Sequence, residues 1–337
     1  MFDKKFLKDE FATFAGTYFR LFKKSKLENT LTVFLFHDVT YTPSEFSRMY
    51  KLNVPPDIFD FQLKFIKNNF NVITPDELIS GELPPRAAMV TFDDGVKGFF
   101  SDAVEIIENN EVPTVIFLNT EPASGVIFQS GLITYLCEKE EGFKEYLLSV
   151  AGRENIITPL FLNCTREIVN SYIKLSGKDF KDAVEGFVGP FASEEELLKT
   201  SHSRYIYYGN HLYNHDVALT LSDEALTSSY LKNMEKLQSF KNFTNLFAFP
   251  FGQPGTTFSE RQIDLILSLG AQKVFSSYPV INYSPSTRTY LHRIALTDFN
   301  STEFKTWYQI FYTEIIKNNN FFKSMKKVLQ RKKPDER

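Results

Sequence analysis

Between Ala87 and Leu118 the sequence changes period twice, and no other feature of the 337-residue chain restricts its fold as much. Ala87 to Phe92 is an unbroken apolar run of strand length, the pattern of a strand buried on both faces. It stops at Asp93-Asp94-Gly95. Phe99 to Asn110 then has helical spacing, and Pro113 to Leu118 is a second apolar run. Strand, turn, helix, strand is the signature of parallel βα units. The length of the chain suits a single α/β barrel with additions.

The paired acids therefore stand at the C-terminal end of a strand, the edge where α/β folds gather their chemistry. Gly95 lets the backbone turn tightly beside them. One carboxylate can lie against a metal and stay ionised while its neighbour takes a proton from water. Asp-Asp-Gly is also ordinary turn chemistry, so alone it decides nothing.

A second stretch, Gly209-Asn210-His211-Leu212-Tyr213-Asn214-His215-Asp216, carries two of the chain's five histidines, four residues apart. On a helical turn such a pair projects from one face and can share a cation. Asp94, His211 and His215 would then form a three-ligand site with an open position for water. Two solvent-facing histidines on a turn is the other reading of the same spacing.

With these residues in view, the chain resembles the polysaccharide deacetylases with a NodB-like domain. Thr91-Phe92-Asp93-Asp94-Gly95 matches that family's first motif. Gly209-Asn210-His211 through His215, followed by Leu219 and Leu221-Ser222-Asp223-Glu224-Ala225-Leu226, is similar to the second motif and the helix behind it. Phe247-Ala248-Phe249-Pro250-Phe251-Gly252 is similar to the third. The resemblance runs from about Thr32 to Leu296. It implies a distorted (β/α) barrel of about seven parallel strands over residues 31–300, with an insertion at about 120–200. A basic amphipathic helix would precede it in residues 1–30, and a helix with a basic tail would follow in 301–337.

The activity implied is hydrolysis of an N-acetyl or other acyl group from an amino sugar of a surface polysaccharide or its precursor. A divalent cation, Zn²⁺ by its carboxylate and two imidazoles, would sit on Asp94, His211 and His215. Asp93 would act as base, and the main-chain N–H of Phe251 would stabilise the oxyanion. A glycan or lipid-linked oligosaccharide is the implied partner.

The sequence departs from the pattern at several points. Ala248 stands where an arginine usually holds the base aspartate, and Arg293 is the candidate replacement because it begins a strand at the same edge; a surface salt-bridging role is the alternative. Leu212 replaces the usual Ser or Thr. His292, within Tyr290-Leu291-His292-Arg293, is the candidate general acid, although its surroundings also resemble members lacking that histidine. His37, after the strand Leu31–Phe36, is read as a rim residue outside the metal motifs. A glycan-binding or scaffolding protein on a catalytically inactive barrel therefore stays open beside the enzyme.

Composition narrows the setting. The 35 Phe and 16 Tyr serve packing by default or sugar stacking otherwise. Two cysteines do not make a disulfide framework. No signal-peptide pattern or membrane-length apolar run is legible, so a cytoplasmic location is expected. Residues 1–26 hold seven Lys/Arg against three acids, and 323–337 hold seven against two. These basic ends offer contact with the inner face of an anionic membrane, but a solvated terminus and a helix packed on the barrel explain them equally. Nothing beyond them supports nucleic-acid binding.

The remaining expectations are local. Capping boxes open helices at Thr74 and Ser259. Glu121–Gly125 reads as a loop, Leu132 to Val150 and Ser193 to Leu198 as helical. Ser301 is expected to cap a final helix.

Overall fold

A computed structural model describes residues 4–22, 24–151 and 164–313. The strands, in chain order, are β1 (Thr30–Phe36), β2 (Asp38–Val39), β3 (Asn53–Val54), β4 (Asn71–Val72), β5 (Ala87–Asp94) and β6 (Thr114–Leu118). They continue with β7 (Ile206–Asn210), β8 (Phe243–Ala248), β9 (Lys273–Phe275), β10 (Asn282–Tyr283), β11 (Tyr290–Leu291) and β12 (Ile294–Ala295). Strands β1, β5, β6, β7, β8, β9 and β11 lie side by side in that order, all parallel. β12 pairs parallel with β1. Because β11 rests on β9 and β12 on β1, the two residues between them, His292 and Arg293, cross the gap between the sheet's two ends. The sheet is thereby a nearly closed, distorted barrel, and only β10 runs antiparallel within it.

The central strands bury every side chain: β1, β5 and β6 are buried throughout. That follows from their unbroken apolar runs, because helices cover one face and the barrel interior the other. The outer layer uses the phenylalanines for packing. Phe36 stacks on Phe92 at 5.3 Å, and both meet Phe59 from the helix Pro56–Asn69 edge-on. Phe99 closes the cluster at 4.7 Å from Phe92. Each such fully buried ring contributes about 1.5–3 kcal/mol.

The helix Lys4–Phe22 packs Ala12, Ala15 and Phe19 into this core, against the helix Glu303–Phe311. Phe14 and Leu21 remain exposed on its outer side. The approach is close: a Cβ on Gly16 would stand 1.8 Å from the carbonyl oxygen of Phe304. Residues 314–337, which include the basic tail, lie outside the described residues, as do 1–3 and 152–163. Among the described residues no helix is long and apolar enough to cross a membrane.

The insertion forms a layer over the mouth. Its helices Gln129–Lys139, Glu141–Ala151, Arg166–Ser176 and Lys181–Val188 share an apolar core separate from the barrel's, centred on Phe143, Leu147, Val169 and Val184. Cys137 and Cys164 are buried there without a disulfide between them.

Several local expectations change. The capping boxes at Thr74 and Ser259 are present. The helix after the Asp-Asp-Gly turn opens with a wide turn over Phe99–Ala103 before becoming regular at Val104–Asn110. The segment expected as a loop after Glu121 contains a one-turn helix, Thr120–Ala123. The single helical reading of 132–150 breaks at Glu140 into two helices. The last helix is capped by Thr302 rather than Ser301: the Thr302 side chain accepts from the Lys305 N–H, while Ser301 ends the preceding 3-10 turn.

Candidate active site

Four strand ends deliver these groups. Asp93 and Asp94 are the last residues of β5, His211 follows β7, Phe251 follows β8, and His37 follows β1. The expectation of a helical turn for His211–His215 is corrected: the segment is irregular, with Leu212 at φ 61° and His215 at φ 55°. Two left-handed residues fold the loop back, so the imidazoles converge without a helix, their ring centroids 5.0 Å apart. Asn210 Oδ1 accepts from the Leu212 N–H, and Asn119 Nδ2 donates to the carbonyls of His211 and Leu212. Asp94 (φ 76°) and Phe251 (φ 61°) are left-handed as well. Such strain in non-glycine residues persists only where surrounding structure enforces it, and it concentrates at functional sites.

Asp94, His211 and His215 are all buried, and one ligand atom from each lies within 4.8 Å of the others. Asp94 Oδ1 is 3.5 Å from His211 Nε2 and 3.2 Å from His215 Nε2. Metal–ligand bonds of about 2.0–2.1 Å in tetrahedral array separate ligands by about 3.3 Å, so the set fits a zinc-sized divalent cation. The imidazoles present the correct atoms. His211 Nδ1 donates to the Ala248 carbonyl at 2.7 Å, because a carbonyl only accepts, and Nε2 is the nitrogen left to face the cation position. His215 Nδ1 is 2.7 Å from Ser130 Oγ.

Asp93 lies beside this set, 3.8 Å from His211 Nε2, and its main partner is an arginine. Arg293, completely buried, grips it through Nη1–Oδ1 at 2.6 Å and Nη2–Oδ2 at 2.7 Å, and its Nε donates to the Ser276 carbonyl at 3.0 Å. The arginine thus comes from the seam between β11 and β12, not from the third motif, where Ala248 contributes only its carbonyl. Burial would raise the Asp93 carboxyl, but Arg293, with His211 and His37, holds it below the usual range. For Asp94, burial is likewise overcome, by His215 and His211, which hold it well below that range. Both carboxylates are ionised at neutral pH.

These groups open into a cavity of about 760 Å³ between the barrel mouth and the insertion. Asp93, Asp94, His37, His211, His215 and Phe251 line it, with Phe128, Ser130, Ile133 and Arg166 from the insertion. The insertion thus has its own core and also walls the site. His292 is not among the lining residues: its Nδ1 meets Ser276 Oγ at 2.8 Å and its N–H donates to Asn282 Oδ1. The imidazole facing the cavity with the carboxylates is His37, which the motif comparison set aside as a rim residue. Burial lowers its pKa, against the pull of Asp94 and Asp93. Its signal in the sequence was position, a histidine directly after an apolar strand at the same edge as Asp93.

No protein-family model matches the sequence, and no curated protein does. Among solved structures, the chain is similar to the Streptococcus pyogenes deacetylase PplD in complex with acetate, at 14% identity and TM-score 0.56, over 84% of this chain and 99% of that one. The chain shares its fold with this deacetylase. IcaB from Ammonifex degensii aligns at 16% identity and TM-score 0.55, over 83% and 97% of the two chains. A de-N-acetylase from Aggregatibacter actinomycetemcomitans aligns at 15% and 0.52, over 82% and 99%. At such identities the likeness concerns the fold, and the chemistry rests on this chain's own residues.

A neighbouring acid behaves differently. Burial pushes Asp38 up to about 6, although Ser47 Oγ donates to it at 3.2 Å. A carboxyl whose folded pKa lies above its unfolded value near 3.8 loses stability as pH rises from the lower value to the higher. Asp38→Asn is therefore expected to raise the unfolding free energy by about 1–3 kcal/mol at about pH 7.5 and by almost nothing near pH 3.5. Denaturant titrations at the two pH values check this; an equal gain at both would point to packing instead.

Proposed function

We propose that the chain is a metal-dependent deacetylase that hydrolyses an N-acetyl or similar acyl group on an amino sugar of a polysaccharide or its precursor. The observation that carries this reading is the separation of roles between adjacent carboxylates: Asp94 faces two imidazole Nε2 atoms at 3.5 and 3.2 Å, while both oxygens of Asp93 are gripped by Arg293, with His211 Nε2 farther off at 3.8 Å. A structural site would not need a second ionised acid beside a cation site.

Asp94, His211 and His215 would hold the cation, Zn²⁺ by donor type. Once bound, a divalent cation polarises the acyl oxygen and acidifies water. Asp93 takes the proton of the attacking water, its ionised form secured by Arg293. The Phe251 main-chain N–H is assigned to the developing oxyanion; Ser277 Oγ donates to the Phe251 carbonyl at 2.7 Å and ties that turn. His37, rather than His292, is assigned to hand a proton to the leaving amine, because it shares the cavity with the reacting groups.

The binding-only alternative loses ground because all of these groups are present and oriented. The test is acetate release from N-acetylated amino-sugar oligomers, measured before and after chelation and again after adding Zn²⁺. Chelator-sensitive, metal-restored release supports the reading. Retained binding of the same oligomers with no release under any metal supports a glycan-binding protein instead.

A further inference from the structure

The two imidazoles of the cation site are supported from different parts of the molecule. His211 finds its partner in the barrel itself, at the Ala248 carbonyl closing β8. His215 finds its partner in the insertion, at Ser130 on the second residue of the helix Gln129–Lys139. The same Ser130 Oγ also lies 3.3 Å from the His215 main-chain carbonyl. A serine hydroxyl has one hydrogen, and a carbonyl can only accept. With that hydrogen directed at the His215 carbonyl, Oγ is left as the acceptor for Nδ1–H. The two contacts together keep a proton on Nδ1, which leaves Nε2, the atom facing Asp94 Oδ1, as the one to ligate a cation.

We infer that the insertion completes the cation site through Ser130, a positioning residue that fixes the His215 tautomer and ring orientation, so that the cation binds tightly only when the inserted helices are docked. The inference rests on the proposed metal-dependent reading. Several features make the contact a built one. Ser130 and His215 are 8% and 7% exposed, so water does not readily replace the hydroxyl. Phe128, two residues before Ser130, lays its ring 5.2 Å from the imidazole. On the other side Phe251 approaches to 4.7 Å. The Ser130 carbonyl is tied in turn by Thr134 Oγ1 at 2.9 Å, and Thr134 Oγ1 lies 3.2 Å from the hydroxyl of Tyr50 on the barrel side. The hydroxyl thus belongs to a chain of contacts joining insertion and barrel.

Outer partners of ligating histidines are worth about 10–100-fold in metal affinity. Metal-free Ser130→Ala is therefore expected to bind Zn²⁺ about 10–100-fold more weakly than wild type in competition with a chromophoric chelator, and Ser130→Thr, which keeps the hydroxyl, within about threefold. A second reading needs neither metal nor activity. Nitrogen-15 shifts of the His215 ring in metal-free wild type should report a protonated Nδ1, and Ser130→Ala should show a smaller share of it. Unchanged affinity in Ser130→Ala, equal weakening in Ser130→Thr, or a bare Nδ1 in wild type would each overturn the inference. Wild type that takes up no divalent ion, while still showing a protonated Nδ1, would instead sink the metal reading and leave only a structural hydrogen bond.

Discussion

Asp93→Asn is expected to slow acyl hydrolysis by about 10²–10⁴-fold, the usual contribution of a positioned base, while the protein still takes up its metal. The asparagine keeps the shape of the carboxylate and one acceptor for Arg293, but it cannot receive the proton of water. Ligands Asp94, His211 and His215 are untouched, so the loss should fall on kcat with metal content unchanged. Steady-state kinetics beside metal analysis of the same preparation checks both. A variant that kept wild-type kcat would remove Asp93 from the chemistry.

Arg293 carries the second large effect, and it is structural as well as catalytic. Arg293 is fully buried and Asp93 is 4% exposed. Removing one partner of such a pair leaves an uncompensated charge, at a cost of about 3–5 kcal/mol. Arg293→Met is therefore expected to lose about that much unfolding free energy near neutral pH. The loss should shrink as pH falls: in wild type the depressed Asp93 carboxyl contributes stability above its unfolded pKa, and that contribution disappears as pH drops through the folded one. The double variant Asp93→Asn with Arg293→Met removes both charges and should recover most of the stability. It should recover none of the activity. A double variant as unstable as Arg293→Met alone would mean that the arginine acts through its Ser276 contact rather than through Asp93.

The parallel barrel was legible because its strands are buried on both faces, which leaves an unmistakable apolar run in β1, β5 and β6. The cluster of Asp94, His211 and His215 was legible because the first two motifs kept those three residue types. What escaped was whatever depends on loops and on long-range closure. The 211–215 segment has helical spacing but no helix, since two left-handed residues bring the rings together instead. His37 carries no motif, and its place at the cavity follows from β1 lying next to β5. His292 and Arg293 are adjacent in sequence, yet only the arginine reaches the acids, because neighbouring residues of an extended segment project in opposite directions. Ser130 had no signal at all: it lies 85 residues from His215, in an insertion whose docking no local pattern foretells.

The central claim is that Asp94, His211 and His215 hold one divalent ion. Elemental analysis of the purified protein, after exposure to Zn²⁺ and removal of excess, tests it most directly. The account predicts about one ion per chain in wild type and in Asp93→Asn, and almost none in folded Asp94→Ala. Wild type with no bound ion, or Asp94→Ala that retains a full equivalent, would contradict it.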